Sequence, residues 1–243
     1  YVEVGYWRDS ETLFKRAIAV TKRNTLAHYN LGVELQKQRR WAEAEKQYRQ
    51  VLRIVPRQHD ARLNLALMLM RQSRYKEAEK HYRDLITARY HVAEAYQGLA
   101  QSMVGQNRFE DAVLYYKKAI KERPRVARLH LGLGFAYARL KALDKALAEF
   151  SRAVTLDPRD AAAHYYLGLI YHAQGKLSPA IKACQEAVDL VPASPQYHDT
   201  LARMLYDAGD FRGSWRELQQ VERLGGAPNP YLVKALQEMQ RRK

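Results

Sequence analysis

Residues 25–58 read TLAHYNLGVELQKQRRWAEAEKQYRQVLRIVPRQ, and the order of residue types in this stretch decides the fold. Its first half carries Leu31, Gly32 and Leu35; its second half carries Trp41, Ala44, Tyr48 and Val51 and closes on Pro56. Two apolar stripes at i, i+3, i+4 and i+7, parted by the polar Gln38-Arg39-Arg40, make two amphipathic helices joined by a short turn. Stepping 34 residues on finds the same chemistry. The second copy has Leu65-Ala66, Leu69, Tyr75, Ala78, Tyr82 and Leu85, and the third has Leu99-Ala100, Met103, Phe109, Ala112, Tyr116, Ala119 and Pro124. Leu133-Gly134, Tyr137, Leu143, Ala146, Phe150, Ala153 and Pro158 make the fourth. The fifth has Leu167-Gly168, Tyr171, Leu177, Ala180, Cys184, Ala187 and Pro192, and a weaker sixth has Leu201-Ala202, Leu205, Phe211, Ser214, Leu218 and Val221. The six copies, 25–58, 59–92, 93–126, 127–160, 161–194 and 195–228, follow one another without an insertion or deletion.

Small residues at Gly32, Gly134 and Gly168, and at Ala44, Ala78, Ala112, Ala146 and Ala180, let helices approach closely, while a bulkier residue four places after each alanine fills the next gap. Proline at 56, 124, 158 and 192 ends each second helix, because it lacks an amide hydrogen and pushes the preceding residue out of the α region. Tyr90 stands there in the second copy, which should soften that corner without shifting the register. Residues 1–24 fit only a second half-repeat, with Trp7, Ser10, Phe14 and Ala17 in the places of Trp41, Ala44, Tyr48 and Val51. Residues 229–243 read as a capping helix: Asn229 is the cap, Pro230 the first turn, Tyr231, Leu232, Ala235 and Leu236 the apolar stripe, and Arg241, Arg242 and Lys243 the cationic end.

The whole pattern resembles the tetratricopeptide repeat, with its W-x-x-L-G-x-x-Y, A-x-x-x-F and P signature at a 34-residue period. That resemblance implies an all-α fold, a right-handed superhelical α-solenoid of helix hairpins whose first helices line a concave groove. It also implies which side chains face the groove. These are Tyr29, Asn30, Val33 and Lys37 in the first copy, Leu63, Asn64, Leu67 and Arg71 in the second, and Gln97 and Gln101 in the third. Leu131, Phe135 and Arg139 follow in the fourth, Tyr165, Leu169 and His172 in the fifth, and Arg203 in the sixth. Aromatic and aliphatic anchors with scattered cations suit an extended peptide or a partner's helix. The function this implies is a protein–protein interaction scaffold, with self-association through the terminal repeats as a further route to partners.

Asn30 and Asn64 hold the same sixth position of their copies. In the superhelical arrays of O-GlcNAc transferases, which this chain resembles, that position forms an asparagine ladder bonded to the backbone of a bound peptide, a role a carboxamide fills by donating and accepting at once. Gly98, Gly132, Tyr166 and Thr200 replace the later rungs, so solvated consensus asparagines are the alternative. The chaperone-type repeats grip a C-terminal carboxylate with lysine at the fifth position; here Tyr29, Leu63, Gln97, Leu131, Tyr165 and Asp199 stand there, which predicts no preference for such tails. Tyr6-Trp7-Arg8-Asp9-Ser10-Glu11-Thr12-Leu13-Phe14 looks like the junction before the C-terminal repeat tail of bacterial multi-spanning O-mannosyltransferase-like membrane proteins. This second resemblance implies an accessory, substrate-presenting tail on the periplasmic side of a membrane-anchored parent, with the cytoplasm as the alternative.

No catalytic set can be assembled. His28, His130, His164 and His198 recur at the fourth position, but equivalent positions on successive hairpins lie roughly 8–10 Å or more apart, too far for nitrogens to share a zinc ion at near 2 Å. They read as packing residues in place of the consensus tryptophan. Cys184 stands where aromatics stand in other copies and reads as a small buried hydrophobe. No phosphate loop, zinc motif or nucleophile elbow occurs, so the expectation is no enzyme, no cofactor and no metal.

The chain is 243 residues long with 47% hydrophobic residues, enough to bury a core and too many for disorder. A single cysteine rules out an intramolecular disulfide framework. The longest apolar run, Leu63 to Met70, is too short for a membrane span and is broken by Asn64, so membrane association is expected only through segments outside this sequence. Tyr1 is followed by no charged n-region or apolar h-region, so the sequence reads as a soluble domain, an excised or processed piece of a longer protein. The net charge of +15 comes mainly from residues 1–160, with 31 basic and 18 acidic side chains. Lys46, Arg49, Arg53, Lys80, Arg83, Lys117, Lys118 and Lys121 belong to second helices, interleaved with Glu43, Glu45, Glu77, Glu79 and Glu110 as i,i+3 and i,i+4 pairs on a wet outer face. A basic anion-binding module, for nucleic acid or acidic phospholipid, is the competing and less favoured reading.

Overall fold

The computed structural model describes residues 10–21 and 23–241. The Trp7 half of the leading repeat, the front of the Tyr6 to Phe14 junction, and Arg242 and Lys243 lie outside the described residues. Every regular element among those described is helical: α1 Ser10–Val20, α2 Thr25–Lys37, α3 Trp41–Ile54, α4 His59–Arg71, α5 Tyr75–Thr87, α6 Val92–Gly105 and α7 Phe109–Glu122. There follow α8 Ala127–Arg139, α9 Leu143–Leu156, α10 Ala161–Ala173, α11 Leu177–Leu190, α12 Pro195–Asp207, α13 Phe211–Arg223 and α14 Pro230–Arg241. The chain divides into two compact units, Tyr1–Glu122 and Arg123–Lys243. Within each unit a helix packs on its neighbour in sequence, and first helices also meet across a repeat, α4 with α6 and α8 with α10. Each unit is thus a stretch of α-solenoid, and the fold is all-α.

The apolar stripes explain the packing. Ala44, Ala78, Ala112, Ala146 and Ala180 are fully buried, and so are Tyr48, Tyr82 and Phe150 four residues after three of them. A methyl group at the alanine position lets first and second helices close, and the aromatic ring fills the wedge above it. Ser214 takes the alanine position in the sixth copy; its hydroxyl donates to the Ala202 carbonyl at 2.7 Å, so no polar atom is buried without a partner there. Cys184 lies in a core cluster with Ala180, Val188, Leu201 and Met204, and burial pushes its thiol up to about 12. Leu232 and Leu236 of α14 pack with Ala202 and Leu218, while Tyr231 on the outer side of that helix is 85% exposed. Asn229 accepts from the amides of Tyr231 and Leu232 at 3.0 and 3.4 Å, which caps this helix.

Where proline is missing the helix ends differently. At the copy-two corner, Arg89 turns into the left-handed region at φ 54° and the Tyr90 amide donates back to the Leu85 carbonyl at 3.0 Å. Gly225 at φ 74° and the Gly226 amide bonded to the Val221 carbonyl at 2.9 Å repeat that arrangement in the sixth copy. Both are Schellman caps, and α5 ends on Thr87, followed by its cap residue Ala88. At this corner a hydrogen-bonded cap stands where four other copies have proline.

Candidate functional site

In the first unit the first helices α2, α4 and α6 carry the residues expected to meet a ligand. Tyr29, Asn30, Val33, Leu63, Asn64, Gln97 and Gln101 are half-buried, whereas Lys37, Leu67 and Arg71 are exposed. Along α4, Leu63, Asn64, Leu67 and Arg71 sit one and two turns apart and share a face. The Tyr29 ring tilts against Tyr48 at 5.9 Å, and burial, then the Asp60 charge, raises its phenol above the ordinary value. Lys37 pairs with Glu34 at 3.3 Å. Arg71 makes no such pair; its guanidinium lies over the Trp41 ring, 5.2 Å from the centroid.

Aromatic rings dominate the corresponding face of the second unit. Phe135 meets Tyr166 edge-on at 5.9 Å, and Tyr166 stacks on Phe150 at 5.4 Å with 13° between the planes. Leu131, Leu169 and His172 are half-buried, and Arg139 and Arg203 are exposed. Arg139 lies over Phe135, and His172 Nε2 is held 2.7 Å from Asp207 Oδ2. Tyr165 corrects the sequence reading. It is only 9% exposed, its ring packed between Tyr166 and Tyr197 and its hydroxyl accepting from Gln196 at 3.0 Å, so it serves the cluster rather than a ligand.

The asparagine row is interrupted for a physical reason. The sixth position of a copy lies against the large residue of the preceding second helix, and its side chain must fit what it meets. A Cβ on Gly98 would fall 2.2 Å from the Tyr82 ring, and Tyr166 instead stacks on Phe150. Asn64 survives as a rung, but its carboxamide nitrogen donates to the Tyr29 hydroxyl at 3.3 Å. One of its two amide hydrogens is thus already used inside the protein.

Two recurring devices were not read from the sequence. First, the fourth-position residue reaches back to the carbonyl six residues earlier and across to the second helix nineteen residues later. His130 Nε2 lies 3.0 Å from the Pro124 carbonyl and Nδ1 2.7 Å from Glu149, and His198 lies 2.9 Å from Pro192 and 2.6 Å from Glu217. His164 keeps the Pro158 contact at 3.0 Å, and His28 lies 2.8 Å from Gln47. His130, His164 and His198 thereby fasten a hairpin to the turn before it, beyond simple packing. In the third copy Tyr96 stacks on Tyr115 instead, with Lys118 over both rings.

Second, Arg40, Arg74 and Arg108 hold the same position in three successive copies. Each pairs with an acid on its own second helix, Glu43, Glu77 and Asp111, and with a largely buried glutamate of the hairpin before, Glu11, Glu45 and Glu79. Lys15, Arg49 and Arg83 close the other side of those glutamates. Glu45 and Glu79 therefore do not sit on a wet face as expected; they join hairpins. Burial works against the Glu45 carboxylate, but hydrogen bonds from Arg49, Arg74 and Gln72 outweigh it and hold it below the usual range. The sequence signal was present as Gln-x-Arg-x-x-Glu at residues 38–43 and 72–77. Only its partner across the repeat was hidden.

Among the described residues no group of three or more His, Cys, Asp or Glu could hold a metal ion, and no helix is long and apolar enough to cross a membrane. No curated protein sequence matches the chain. Several solved structures resemble it. One is PilF of Pseudomonas aeruginosa, with a TM-score of 0.73 at 19% identity over 92% of this chain and 100% of that one. Another is a chain of the APC/C Cut9–Hcn1 hetero-tetramer, with a TM-score of 0.74 at 15% identity over 95% of this chain and 45% of that one. A third is YrrB, described as a tetratricopeptide repeat protein with an unusual peptide-binding site, with a TM-score of 0.60 at 21% identity over 74% of this chain and 92% of that one. The sequence profile named tetratricopeptide repeat matches residues 29–91, 98–161 and 146–195. With more than half of its residues matched, and hairpins packed at that period, the chain belongs to the tetratricopeptide repeat family.

Proposed function

We propose that this protein is an interaction scaffold that holds an extended segment of a partner protein against its first helices. The observation that carries this reading is the face of α2, α4 and α6, where Val33, Leu63 and Leu67 alternate with Asn30, Gln97 and Gln101 and stay at least partly accessible. Apolar anchors between carboxamides are what a peptide with its own backbone polar groups needs. YrrB, similar in fold, is described as having an unusual peptide-binding site, which supports a peptide as the kind of ligand. The test is a partner recovered from the native source and titrated against variants. Leu67→Asp should weaken binding by about tenfold or more, while Lys80→Gln on a second helix leaves it unchanged. Loss with the Lys80 variant alone would move the site to the outer faces.

The anion-binding alternative has fewer charges to work with than the composition suggests, since Arg40, Arg49, Arg74, Arg83 and Arg108 are engaged with carboxylates. Binding to single-stranded RNA at low salt, with a steep loss as salt rises, would reinstate it. The accessory-tail reading rests on residues 6–14 and on a periplasmic location. A gene that encodes apolar spans ahead of Tyr1 supports it, and one that encodes none removes it.

A further inference from the structure

Several arginines of the first unit are engaged within the protein. Arg40, Arg49, Arg74, Arg83 and Arg108 spend their N–H groups on glutamates and an aspartate, and Arg62 on Asp84 and the Pro56 carbonyl. Arg71 differs. It is exposed at the end of α4 with no carboxylate partner among the described residues, and its guanidinium carbon lies over the ring of Trp41, the first residue of α3. A cation–π contact uses none of the guanidinium N–H groups, which stay free for two parallel bonds to one carboxylate. The stack also removes part of the rotamer freedom an arginine otherwise loses on binding.

The surroundings of Arg71 complete a surface. Leu67 is one turn away and 43% exposed, Leu63 a further turn along the same face. The carboxylates bordering the first helices already have partners: Glu34 with Lys37, Asp60 with the Tyr90 hydroxyl, and Glu94 beside His91 at 3.8 Å. Residues 1–122 carry 23 basic and 14 acidic side chains. An incoming acid meets an unspent cation in a unit of net positive charge.

We propose that the first-unit face takes an extended peptide that carries an acidic residue with aliphatic residues two and four places from it, so that all three side chains face the protein, the carboxylate bound by Arg71 and the aliphatic side chains resting on Leu67 and Leu63. This rests on the scaffold reading above and names the chemistry of its ligand. A free C-terminus is not required, because the lysine clamp for a terminal carboxylate is missing.

The experiment uses the full chain and two labelled, C-terminally amidated peptides, each with Leu or Val two and four places from one residue on the same face of the extended chain, that residue being Asp or Glu in one peptide and Asn or Gln in the other. Fluorescence anisotropy at low salt should show the acidic peptide bound about tenfold tighter. Arg71→Gln should abolish that preference and Trp41→Leu reduce it, with helical content unchanged by circular dichroism. Arg71→Lys should recover only part, since an ammonium cannot bond a carboxylate through a planar fork. Equal binding of the two peptides overturns the inference and leaves the scaffold standing. A preference that survives Arg71→Gln but is lost in Lys46→Gln/Lys80→Gln also overturns it, placing the acid on the outer face. If neither peptide binds, the inference falls, while the partner titration above decides the scaffold separately.

Discussion

Gly98 shows how one side chain position can be closed to a binding role by the fold. Asparagine there would continue the row begun by Asn30 and Asn64, yet the Tyr82 ring occupies the space its Cβ needs. Tyr82 is almost fully buried, so it has little room to yield. Gly98→Asn is therefore expected to destabilise the protein by about 1–3 kcal/mol, read from the shift in urea midpoint at constant slope. Unchanged stability would mean that the tyrosine can move and that the row is open to extension. The same logic covers Tyr166, which cannot act as a carboxamide and instead joins the Phe135–Phe150 stack.

Every hairpin turn passes through the left-handed region at the same point. Arg39, Ser73, Asn107 and Lys141 have φ between 58° and 60°, and Gly175 and Gly209 have 75° and 84°. A Cβ is unfavourable in this conformation by roughly 1–2 kcal/mol, which glycine escapes, while asparagine tolerates it. Arg39→Gly and Lys141→Gly should each stabilise the protein by about 0.5–1 kcal/mol, after the extra entropy of glycine in the unfolded chain is set against the relief. Thermal melts of the two variants would test it, and a fall in melting temperature would contradict it.

The arginine rungs and His81 give the second helices a shared response to acid. Hydrogen bonds from Lys15 and Arg40 hold the Glu11 carboxylate down to about 2, and burial, then the Arg62 charge, lowers the His81 imidazole to about 4. Both folded values lie below the unfolded ones, about 4.3 for glutamate and 6.5 for histidine, so the unfolded chain binds more protons as the pH drops. The histidine contribution is complete above about pH 6.5 and fades through about 4; the glutamate contribution follows from about 4 towards 2. A urea midpoint that falls in both intervals is expected, and His81→Leu should flatten the upper interval only. A midpoint that rises on acidification would reverse the sign of the argument.

Across the molecule, the arginine–carboxylate rungs run through the first unit and stop. Val113 takes the place of the buried glutamate in the third copy and Ala142 that of the arginine in the fourth, so the next rung has neither member. The second unit holds its hairpins with His130–Glu149 and His198–Glu217 and with aromatic stacks. Raising sodium chloride from about 0.05 M to about 1 M shortens the screening length several-fold and should weaken the exposed partners of the rungs. Faster amide exchange in α3, α5 and α7 than in α9, α11 and α13 is the expected outcome; equal protection would show that the rungs contribute nothing measurable.

The 34-residue period, the helix pairs and the burial of alanine and aromatic positions were all legible in the chain, because each depends on residues a few places apart along one helix. The family and the all-α fold follow from them. Which of the expected contact residues remain available was not legible. Tyr165 is enclosed by Tyr197, 32 residues on, Asn64 is engaged by Tyr29, 35 residues back, and Glu45 is taken by Arg74, 29 residues on. Each of these pairings joins consecutive repeats, so it forms only when hairpins stack, and a one-dimensional period records the position without the partner. The net charge of +15 had the same fate: the sequence fixes its size, while the packing of one hairpin on the next determines that many of its arginines are spent within the protein and that Arg71 is not.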